Sequence, residues 1–421
     1  MAPFDLRLRD PSPGLLALPW LEPLAEWDAT EVPLRDVPVG PSRHLVRFVE
    51  TDGRLWALKE LPQRVALKEY GVLRALEARA LPAVRPAGLV VQPQDDNAIL
   101  VTRYLSRSWQ YRRLLMRIPL EMRKHRERLL DAMASLLVDL HRNGVFWGDC
   151  SLANTLFSRD GQTLQAWLVD AETSEIHPTL TDGQRGHDID ILVENVAGGL
   201  MDLAARLDQP PEVHDDLMAE AAGIADRYQA LWDVLHAEPT VSLDDRYEIE
   251  SQVRRLHELG FAVDEVTLRP TGDGTGTLRL KVAVAARRFH ATQLHDLTGL
   301  SVGEGQARIL LGDLRAYQGR RDNADLPEAF VAHRWMDDVM RPGMERAHLA
   351  VGGLGDPVQA YCDLLEVRWL LSESVGRDVG DEAALTALSQ RSVPAESAAT
   401  MVVAEASTGQ FPAITDEMLD P

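Results

Sequence analysis

The segment Trp147–Phe157, WGDCSLANTLF, is the most informative part of the sequence. It places Asp149 and Asn154 in a polar turn that follows a helical pattern. A second segment, Trp167–Glu175 (WLVDAETSE), puts Asp170 at the end of a short apolar run. Asp and Asn are common in turns because their side chains hydrogen-bond to nearby backbone groups, so each residue alone indicates only a turn. Their meaning depends on residues elsewhere in the chain.

Lys59 lies in an apolar setting. The segment His44–Leu61 alternates apolar and polar residues around an Asp-Gly pair, which predicts a β-hairpin. A lysine on such a strand must either extend to solvent or meet an acid. Glu69, on the helix predicted over Arg64–Leu81, is well placed to be that acid, and the pair would direct the lysine toward a bound phosphate. Two unrelated surface residues are the alternative.

Three polar residues after the helical pattern suit phosphate chemistry. Asp149 can accept a hydroxyl proton or orient a nucleophile. Asn154 offers a neutral oxygen to Mg²⁺, and Asp170, at a strand end, can bridge metal and phosphate oxygens. Magnesium suits so small a ligand set because it keeps waters and takes further oxygens from the phosphates of its substrate. Turn and capping residues are the alternative for each position alone.

The order and spacing of these residues resemble the protein-kinase-like superfamily, particularly its lipopolysaccharide-kinase-like and other small-molecule kinase branches. Those branches write the catalytic loop as Gly-Asp followed by Asn. The resemblance implies that Asp149 is catalytic and that Asn154 and Asp170 bind metal. It also implies that Lys59 and Glu69 position the nucleotide phosphates, with ATP and Mg²⁺ as cofactors. The resemblance covers roughly residues 35–235.

Further ATP contacts are implied by the same resemblance. AILVTRYL (Ala98–Leu105) resembles the strand that receives adenine through its backbone, which implicates Thr102, Arg103 and Tyr104. No G-x-G-x-x-G motif precedes the lysine. VGPSRHLVRF stands there instead, and Gly40 and Ser42 are predicted to offer fewer backbone N–H groups to phosphate than a glycine-rich loop would.

Three other positions bear on the resemblance. The segment HDIDILVENVAGGL resembles the helix that supports the catalytic loop, with Asp188 or Asp190 as its buried anchor. Ala171-Glu172 follows the metal-binding aspartate in place of Phe-Gly, and Glu172 is a possible further metal ligand. Ser151 stands where protein kinases carry a lysine, which argues against a protein substrate more than against catalysis.

The predicted fold class is α+β. It is a two-lobed protein-kinase-like fold, with a small β-rich N-lobe and a mainly helical C-lobe, followed by an α-rich C-terminal domain with a β-hairpin. The whole chain resembles an actinobacterial lipopolysaccharide-kinase-like family that carries a C-terminal domain of unknown function. The predicted divisions are a lead-in (1–34), the N-lobe (35–105), the C-lobe (106–238), the C-terminal domain (239–392) and a flexible tail (393–421).

Composition narrows the class of protein. The formal charge of −21 argues against a general nucleic-acid binder, because phosphate backbones favour basic surfaces. Only two cysteines are present, which excludes a disulfide framework or a thiolate zinc cluster. No targeting segment and no apolar run of transmembrane length is recognisable. We therefore expect a cytoplasmic protein.

One segment departs from the acidic composition. Between Arg103 and Arg128 there are nine Arg or Lys residues and two Glu. A docking surface for an anionic ligand, such as a phosphosugar, an anionic lipid head group or nucleic acid, is one interpretation. The other is a solvated helix face that pairs with the acidic C-terminal half. A second stretch, Phe289–Tyr317, is predicted to be a packing helix pair rather than a DNA-reading motif, because it carries few basic residues.

These observations predict a kinase-like phosphotransferase that uses ATP and Mg²⁺ and acts on a hydroxyl of a small molecule, saccharide or glycolipid. The acceptor class follows from the resemblance alone. Two alternatives stay open: a protein Ser/Thr kinase, and a nucleotide-binding regulatory scaffold that acts through its C-terminal domain.

Overall fold

The computed structural model describes residues 5–37, 43–92, 96–116, 122–242, 246–271, 278–320, 323 and 325–405. Its first part is a small lobe built on one antiparallel sheet. In chain order the lobe contains β1 (Asp5–Leu8), α1 (Pro13–Leu16), β2 (Leu34–Arg35), β3 (Val46–Thr51), β4 (Arg54–Pro62), α2 (Gln63–Ala78), β5 (Pro86–Val91) and β6 (Asn97–Arg103). The six strands lie in the order β1-β5-β6-β4-β3-β2.

The first predicted hairpin and helix are confirmed. β3 and β4 join at Asp52 and Gly53, whose φ angles of 51° and 70° match the two central positions of a type I′ turn. The predicted helix is α2. The N-terminal segment covers the outer face of the sheet, where Trp20 and Trp27 are buried against each other at a ring distance of 5.5 Å. Its strand β1, paired with β5, was not predicted.

The second lobe is mainly helical. It contains α3 (Tyr111–Leu115), α4 (Arg123–Arg142), β7 (Val145–Phe146), β8 (Thr155–Asp160), β9 (Thr163–Leu168), β10 (Glu175–Ile176), α5 (Asp182–Arg206) and α6 (Pro211–His236). The apolar stripe predicted for α4 is buried, and the helix is followed by Gly144 with a φ of 73°, as a C-terminal glycine requires. α4, α5 and α6 pack around one core that the inner face of the sheet also joins.

The third part of the chain is α-rich. It contains β11 (Thr240–Val241), α7 (Arg246–Glu258), β12 (Val263–Pro270), β13 (Leu278–Val284), α8 (Phe289–Thr298), α9 (Glu304–Gln318), α10 (Glu328–Trp335), α11 (Arg341–Ala350), α12 (Pro357–Val375) and α13 (Gly380–Ser389). β12 and β13 form the predicted hairpin. The predicted helix pair is α8 and α9. It packs through Leu294, Leu310 and Leu314 into a core that belongs to the third part of the chain and is separate from that of the lobes.

The prediction of a flexible tail from residue 393 is wrong at its start. A 3-10 helix spans Ala398–Glu405, and Ala398 and Met401 are fully buried in the core of the second lobe. Ser397 donates a hydrogen bond of 2.7 Å to Glu366. So short a segment has too few residues to show a periodic pattern, which is why the sequence did not reveal it. Residues 406–421 lie outside the described residues.

The predicted fold class is confirmed: a β-rich lobe, a mainly helical lobe and an α-rich C-terminal domain with a β-hairpin. In the part of the chain that the structure describes, we find no helix with the length and apolar character needed to cross a membrane.

Candidate active site

Lys59 is directed toward the second lobe by its position on β4. Leu58 packs in the outer cluster of the sheet, whereas Leu61 packs in the inner one. Successive side chains of a strand point to opposite faces, so Lys59 shares the inner face with Leu61. The sheet therefore presents this lysine to the junction between the lobes.

Glu69 lies on the buried stripe of α2, together with Ala66, Leu73 and Leu76. Its side chain is 1% exposed. A carboxylate among apolar residues is costly unless a cation or hydrogen-bond donors meet it. The spacing of this acid within an apolar stripe is the sequence signal for a buried partner.

Lys59 joins Glu69 to Asp170. Its Nζ lies 3.2 Å from Glu69 Oε2 and 2.8 Å from Asp170 Oδ2. The other Glu69 oxygen accepts a hydrogen bond of 3.3 Å from the backbone N–H of Ala171. Because Glu69 is buried and bonded in this way, the alternative of two unrelated surface residues is excluded.

The electrostatics of this cluster are strongly coupled. Burial raises the pKa of Glu69 to about 7, a rise that Lys59 opposes and Asp170 reinforces. For Lys59, burial favours the neutral form, but the carboxylates of Glu69 and Asp170 outweigh it and leave the pKa above its ordinary value. The lysine is thus charged at neutral pH, at the junction of the lobes.

Asp149 and Asn154 form the second half of the site. Asn154 Nδ2 donates to Asp149 Oδ2 at 3.0 Å and to the Asp149 carbonyl at 3.1 Å. The Ser151 hydroxyl accepts the backbone N–H of Asn154 at 3.2 Å, which closes the turn between them. Gly148 has a φ of 82°, a conformation that residues with a Cβ rarely adopt.

Asp188, on α5, anchors the loop that carries Asp149 and Asn154. It is fully buried, and it accepts hydrogen bonds from the backbone N–H groups of Trp147 at 2.7 Å and Gly148 at 2.8 Å. It also lies 3.0 Å from His141 Nε2. Burial lowers the pKa of His141 although Asp188 acts in the opposite sense, so the ring is neutral and donates through Nε2. Asp188 is thus the anchor, and Asp190 is exposed.

The β8–β9 hairpin brings Asn154 and Asp170 to the same end. Thr155 pairs with Leu168 at the open end of the hairpin, and the Val169 N–H donates to the Asn154 carbonyl at 3.1 Å. Asn154 directly precedes β8, and Asp170 follows β9. Strand pairing therefore places Asn154 beside Val169, and Asp170 is the next residue along the chain.

Two parts of the chain match known families. Residues 52–206 match the lipopolysaccharide kinase (Kdo/WaaP) family, and residues 230–393 match a domain of unknown function, DUF4032. The first region is lipopolysaccharide-kinase-like. Both parts of the predicted resemblance are thereby confirmed.

One solved structure to which the chain is similar is described as WaaP in complex with acyl carrier protein. The identity is 18%, the similarity covers 46% of this chain and 88% of that one, and the TM-score is 0.31. The comparison with curated proteins found no match.

The donor set of the lipopolysaccharide-kinase-like region fits Mg²⁺. Within the described ranges, no group of three or more His, Cys, Asp or Glu side chains forms a complete metal cage. Asn154 and Asp170 supply one amide and one carboxylate, which are hard oxygen donors. Mg²⁺ commonly binds one or two such groups and fills its remaining positions with water and phosphate oxygens.

The predicted adenine-binding strand is only partly available. The N–H groups of Arg103 and Tyr104 donate to the carbonyls of Arg85 at 2.9 Å and Leu55 at 3.1 Å, so neither is free to donate to a base. The Arg103 guanidinium lies 3.0 Å from Asp10 and belongs to the outer side of the sheet. The remaining contacts predicted for residues 102–104 stay predictions. Ser42 lies outside the described residues.

Glu172 is paired with two basic residues that were not predicted from the sequence. Arg43 Nη2 lies 3.1 Å and His44 Nε2 lies 3.2 Å from its carboxylate. Both precede β3, in the segment that stands in place of a glycine-rich loop. The proposal that Glu172 adds a metal ligand is therefore not supported. Nothing local in the sequence links a basic pair to an acid 128 positions away.

The basic segment is mostly paired with the protein itself. Its described pairs are Arg103 with Asp10, Arg107 with Asp356, Arg112 with Asp202, Arg123 with Glu127, and Arg126 with Glu220, and Arg128 donates to the Glu396 carbonyl. Arg117 lies outside the described residues. The structure favours the paired face over an anion-docking surface, although most of these partners lie in the first two lobes rather than in the C-terminal half.

Proposed function

We propose that this chain transfers the γ-phosphoryl group of ATP to a hydroxyl group of a saccharide or glycolipid, with Mg²⁺ bound by Asn154 and Asp170. In the reaction the acceptor oxygen forms a bond to the γ-phosphorus, and the bond between that phosphorus and the β–γ bridging oxygen breaks. ADP leaves, and the hydroxyl proton passes to Asp149.

The observation that carries this proposal is the position of Lys59 between Glu69 and Asp170. Glu69 holds the ammonium at the junction of the lobes, where it can contact phosphate oxygens. In the nucleotide complex Lys59 would exchange its contact with Asp170 for one with phosphate, which frees that carboxylate for the metal. Mg²⁺ bound there would neutralise the charge on the phosphate oxygens.

Asp149 is assigned to the acceptor hydroxyl. Asn154 holds its Oδ2 at 3.0 Å, so Oδ1 is the oxygen that would receive the proton. Asp188 fixes the backbone two residues earlier through the N–H of Trp147. The loop is therefore ordered without the substrate, which reduces the entropic cost of orienting the reactants.

A saccharide acceptor is supported by the family match of residues 52–206. A protein acceptor has less support from the geometry. Ser151 replaces the lysine of protein kinases and caps the catalytic turn instead. The segment between Asp170 and α5 is also short, residues 171–181, whereas protein kinases carry a longer activation segment there.

The first test measures binding of Mg²⁺ and a non-hydrolysable ATP analogue by calorimetry. We expect binding that depends on Mg²⁺ and is lost in Asp170→Ala, but unchanged in the control Asp264→Ala on the exposed part of β12. Asp149→Ala is expected to bind the nucleotide and to lose phosphoryl transfer to a lipopolysaccharide-type glycolipid. No nucleotide binding by the unmodified protein would overturn the proposal, and full biological activity of Asp149→Ala would support the regulatory scaffold instead.

A further inference from the structure

The turn of the β8–β9 hairpin is enclosed by the C-terminal domain. The open end of this hairpin carries Asn154 and Asp170, and its closed end is the turn after Asp160. β8 and β9 form a sheet of only two strands. A two-stranded hairpin is marginally stable on its own, so its geometry depends on what packs around it.

Asp160 caps a helix of the C-terminal domain. Its carboxylate accepts the backbone N–H of Gly305 at 2.8 Å and that of Gln306 at 2.9 Å, in the first turn of α9. The residue that precedes α9 is Gly303, which has no side chain to do this. An acid at a helix N-terminus satisfies N–H groups that have no partner within the helix and interacts favourably with the helix dipole. The cap of α9 is thus supplied by the kinase-like region.

Two residues of α12 bind the same hairpin turn. Gln359 accepts the Gly161 N–H at 2.9 Å and donates to the Gly161 carbonyl at 2.9 Å. Asp363, one helical turn later, forms an ion pair with Arg159. The side chains of this ion pair are 1% and 2% exposed. Removing one member of so buried a pair is costly, because the other charge is left without a partner.

The two backbones meet without intervening side chains. A Cβ added to Gly305 would lie 2.2 Å from the Asp160 carbonyl oxygen, and one added to Gly161 would lie 2.8 Å from the Gly305 carbonyl. At Gly305 the nearest atom is a backbone oxygen, which a side-chain rotamer change cannot move aside. A shift of α9 is therefore passed directly to the hairpin turn.

We propose that the C-terminal domain positions the metal-binding side chains Asn154 and Asp170 by holding the hairpin at its turn, with Asp160 as the principal positioning residue. The inference rests on the proposed function and assigns a task to the domain of unknown function. The paired strands carry the restraint from the turn to the open end, where Thr155 opposes Leu168. Other restraints act nearer the open end: Leu168 exchanges backbone hydrogen bonds with Pro82 and Val84, at 3.0 Å and 2.9 Å, and Phe157 exchanges two of 2.8 Å with Trp109. The experiment decides whether these contacts or those at the turn govern the ligands.

The test compares two glycine-to-alanine changes on α9. Gly305→Ala must push the hairpin turn away by about 1 Å, because its Cβ would otherwise lie 2.2 Å from a backbone oxygen. Gly312→Ala is the matched control, since a Cβ there has nothing within 4 Å. Hydrogen exchange of residues 154–170 reports the order of the hairpin. Calorimetry with the non-hydrolysable ATP analogue, with and without Mg²⁺, reports the metal site.

We expect Gly305→Ala to increase exchange across the hairpin and to weaken nucleotide binding in Mg²⁺ by about tenfold, as typical for changes behind metal ligands. Binding without Mg²⁺ is expected to change by less than about twofold, because Lys59 on β4 and Glu69 on α2 belong to the first lobe and Lys59 would leave Asp170 for phosphate in the nucleotide complex. A general loss of structure would instead weaken both. Gly312→Ala is expected to resemble the unmodified protein in every measurement.

The inference would be overturned if Mg²⁺ strengthened nucleotide binding equally in Gly305→Ala and Gly312→Ala. If Gly305→Ala does not fold, Asp160→Asn replaces it, because it keeps the size of the side chain and removes one of the two acceptor oxygens. If the unmodified protein binds no nucleotide, the proposed function fails. Exchange then decides the inference separately: unchanged protection of residues 154–170 in the variant overturns it, and increased protein motion there supports control by the domain.

Discussion

The most direct test of the catalytic loop is Asp188→Asn. In the structure one buried carboxylate accepts two backbone N–H groups, at 2.7 Å and 2.8 Å, and the His141 ring N–H at 3.0 Å. Asparagine has nearly the same shape but offers one oxygen and one NH₂ group. The two backbone donors contact different oxygens of Asp188, so one of them would face another donor.

The expected loss follows from these contacts. Hydrogen bonds to a charged group contribute about 1.5–3 kcal/mol each, and an unsatisfied buried donor costs about 1–3 kcal/mol. One donor without a partner and two weakened bonds together give about 3–5 kcal/mol. Single domains are stable by about 5–15 kcal/mol, so the variant should fold but be much less stable. With about 2–4 °C per kcal/mol for a region of this size, its Tm should fall by about 10 °C.

Thermal unfolding measures the stability of the variant, and amide exchange at Trp147 and Gly148 measures the loop directly. Asp190→Asn is the matched control, because Asp190 lies on the same helix and is exposed. We expect the control to remain within about 0.5 kcal/mol of the unmodified protein. A stability change under about 1 kcal/mol in Asp188→Asn, or equal losses in both variants, would refute the assignment of Asp188 as the anchor.

Three further predictions follow from single positions. Burial raises the pKa of Glu69 to about 7 from 4.5, so its stabilising contribution is fully present below about pH 4.5 and is lost as the pH rises through about 7. The free energy of unfolding of the unmodified protein minus that of Glu69→Gln should thus fall between pH 5 and 8, by at most about 3 kcal/mol. The difference between their Tm values measures this, and a difference that stays flat or rises with pH contradicts the prediction. Gly144→Ala should lower the free energy of unfolding by about 3 kcal/mol or more, since Gly144 has a φ of 73° and a Cβ there would lie 2.0 Å from the His177 carbonyl oxygen. Urea unfolding measures this loss, and Gly186→Ala is the control, because a Cβ at Gly186 has nothing within 4 Å. Asp149→Asn should leave nucleotide affinity within about twofold and lower kcat by at least about 100-fold, and an unchanged kcat would remove Asp149 from the mechanism.

Much of the fold was accessible from local pattern. The Asp52-Gly53 turn and the apolar stripe of α4 predicted their elements, because side-chain periodicity records which face of a strand or helix is buried. The five residues Lys59, Glu69, Asp149, Asn154 and Asp170 were also chosen from sequence, and the structure brings them together in two linked clusters. Their roles stay predictions until nucleotide binding is measured.

Other features depended on contacts between distant parts of the chain. Arg103 looked available to a nucleotide, but its strand position turns it toward Asp10 on the outer side of the sheet. Arg43 and His44 reach Glu172 only because the lobes fold over each other. A sequence shows the charges of such residues but not their partners, since an ion pair needs no particular separation along the chain.

The segment Trp147–Phe157 shows which features follow from the sequence alone and which depend on the tertiary structure. The sequence by itself determined that a polar turn with an acid and an amide follows a helix, because Asp, Asn and Gly are the residue types that such turns favour. Only the tertiary structure decided that Asp188 supports the turn from α5 and that the C-terminal domain holds the hairpin which begins there. Both depend on buried or half-buried hydrogen bonds between residues at least 40 positions apart, which have strong energetic effects but leave no periodic trace in the sequence.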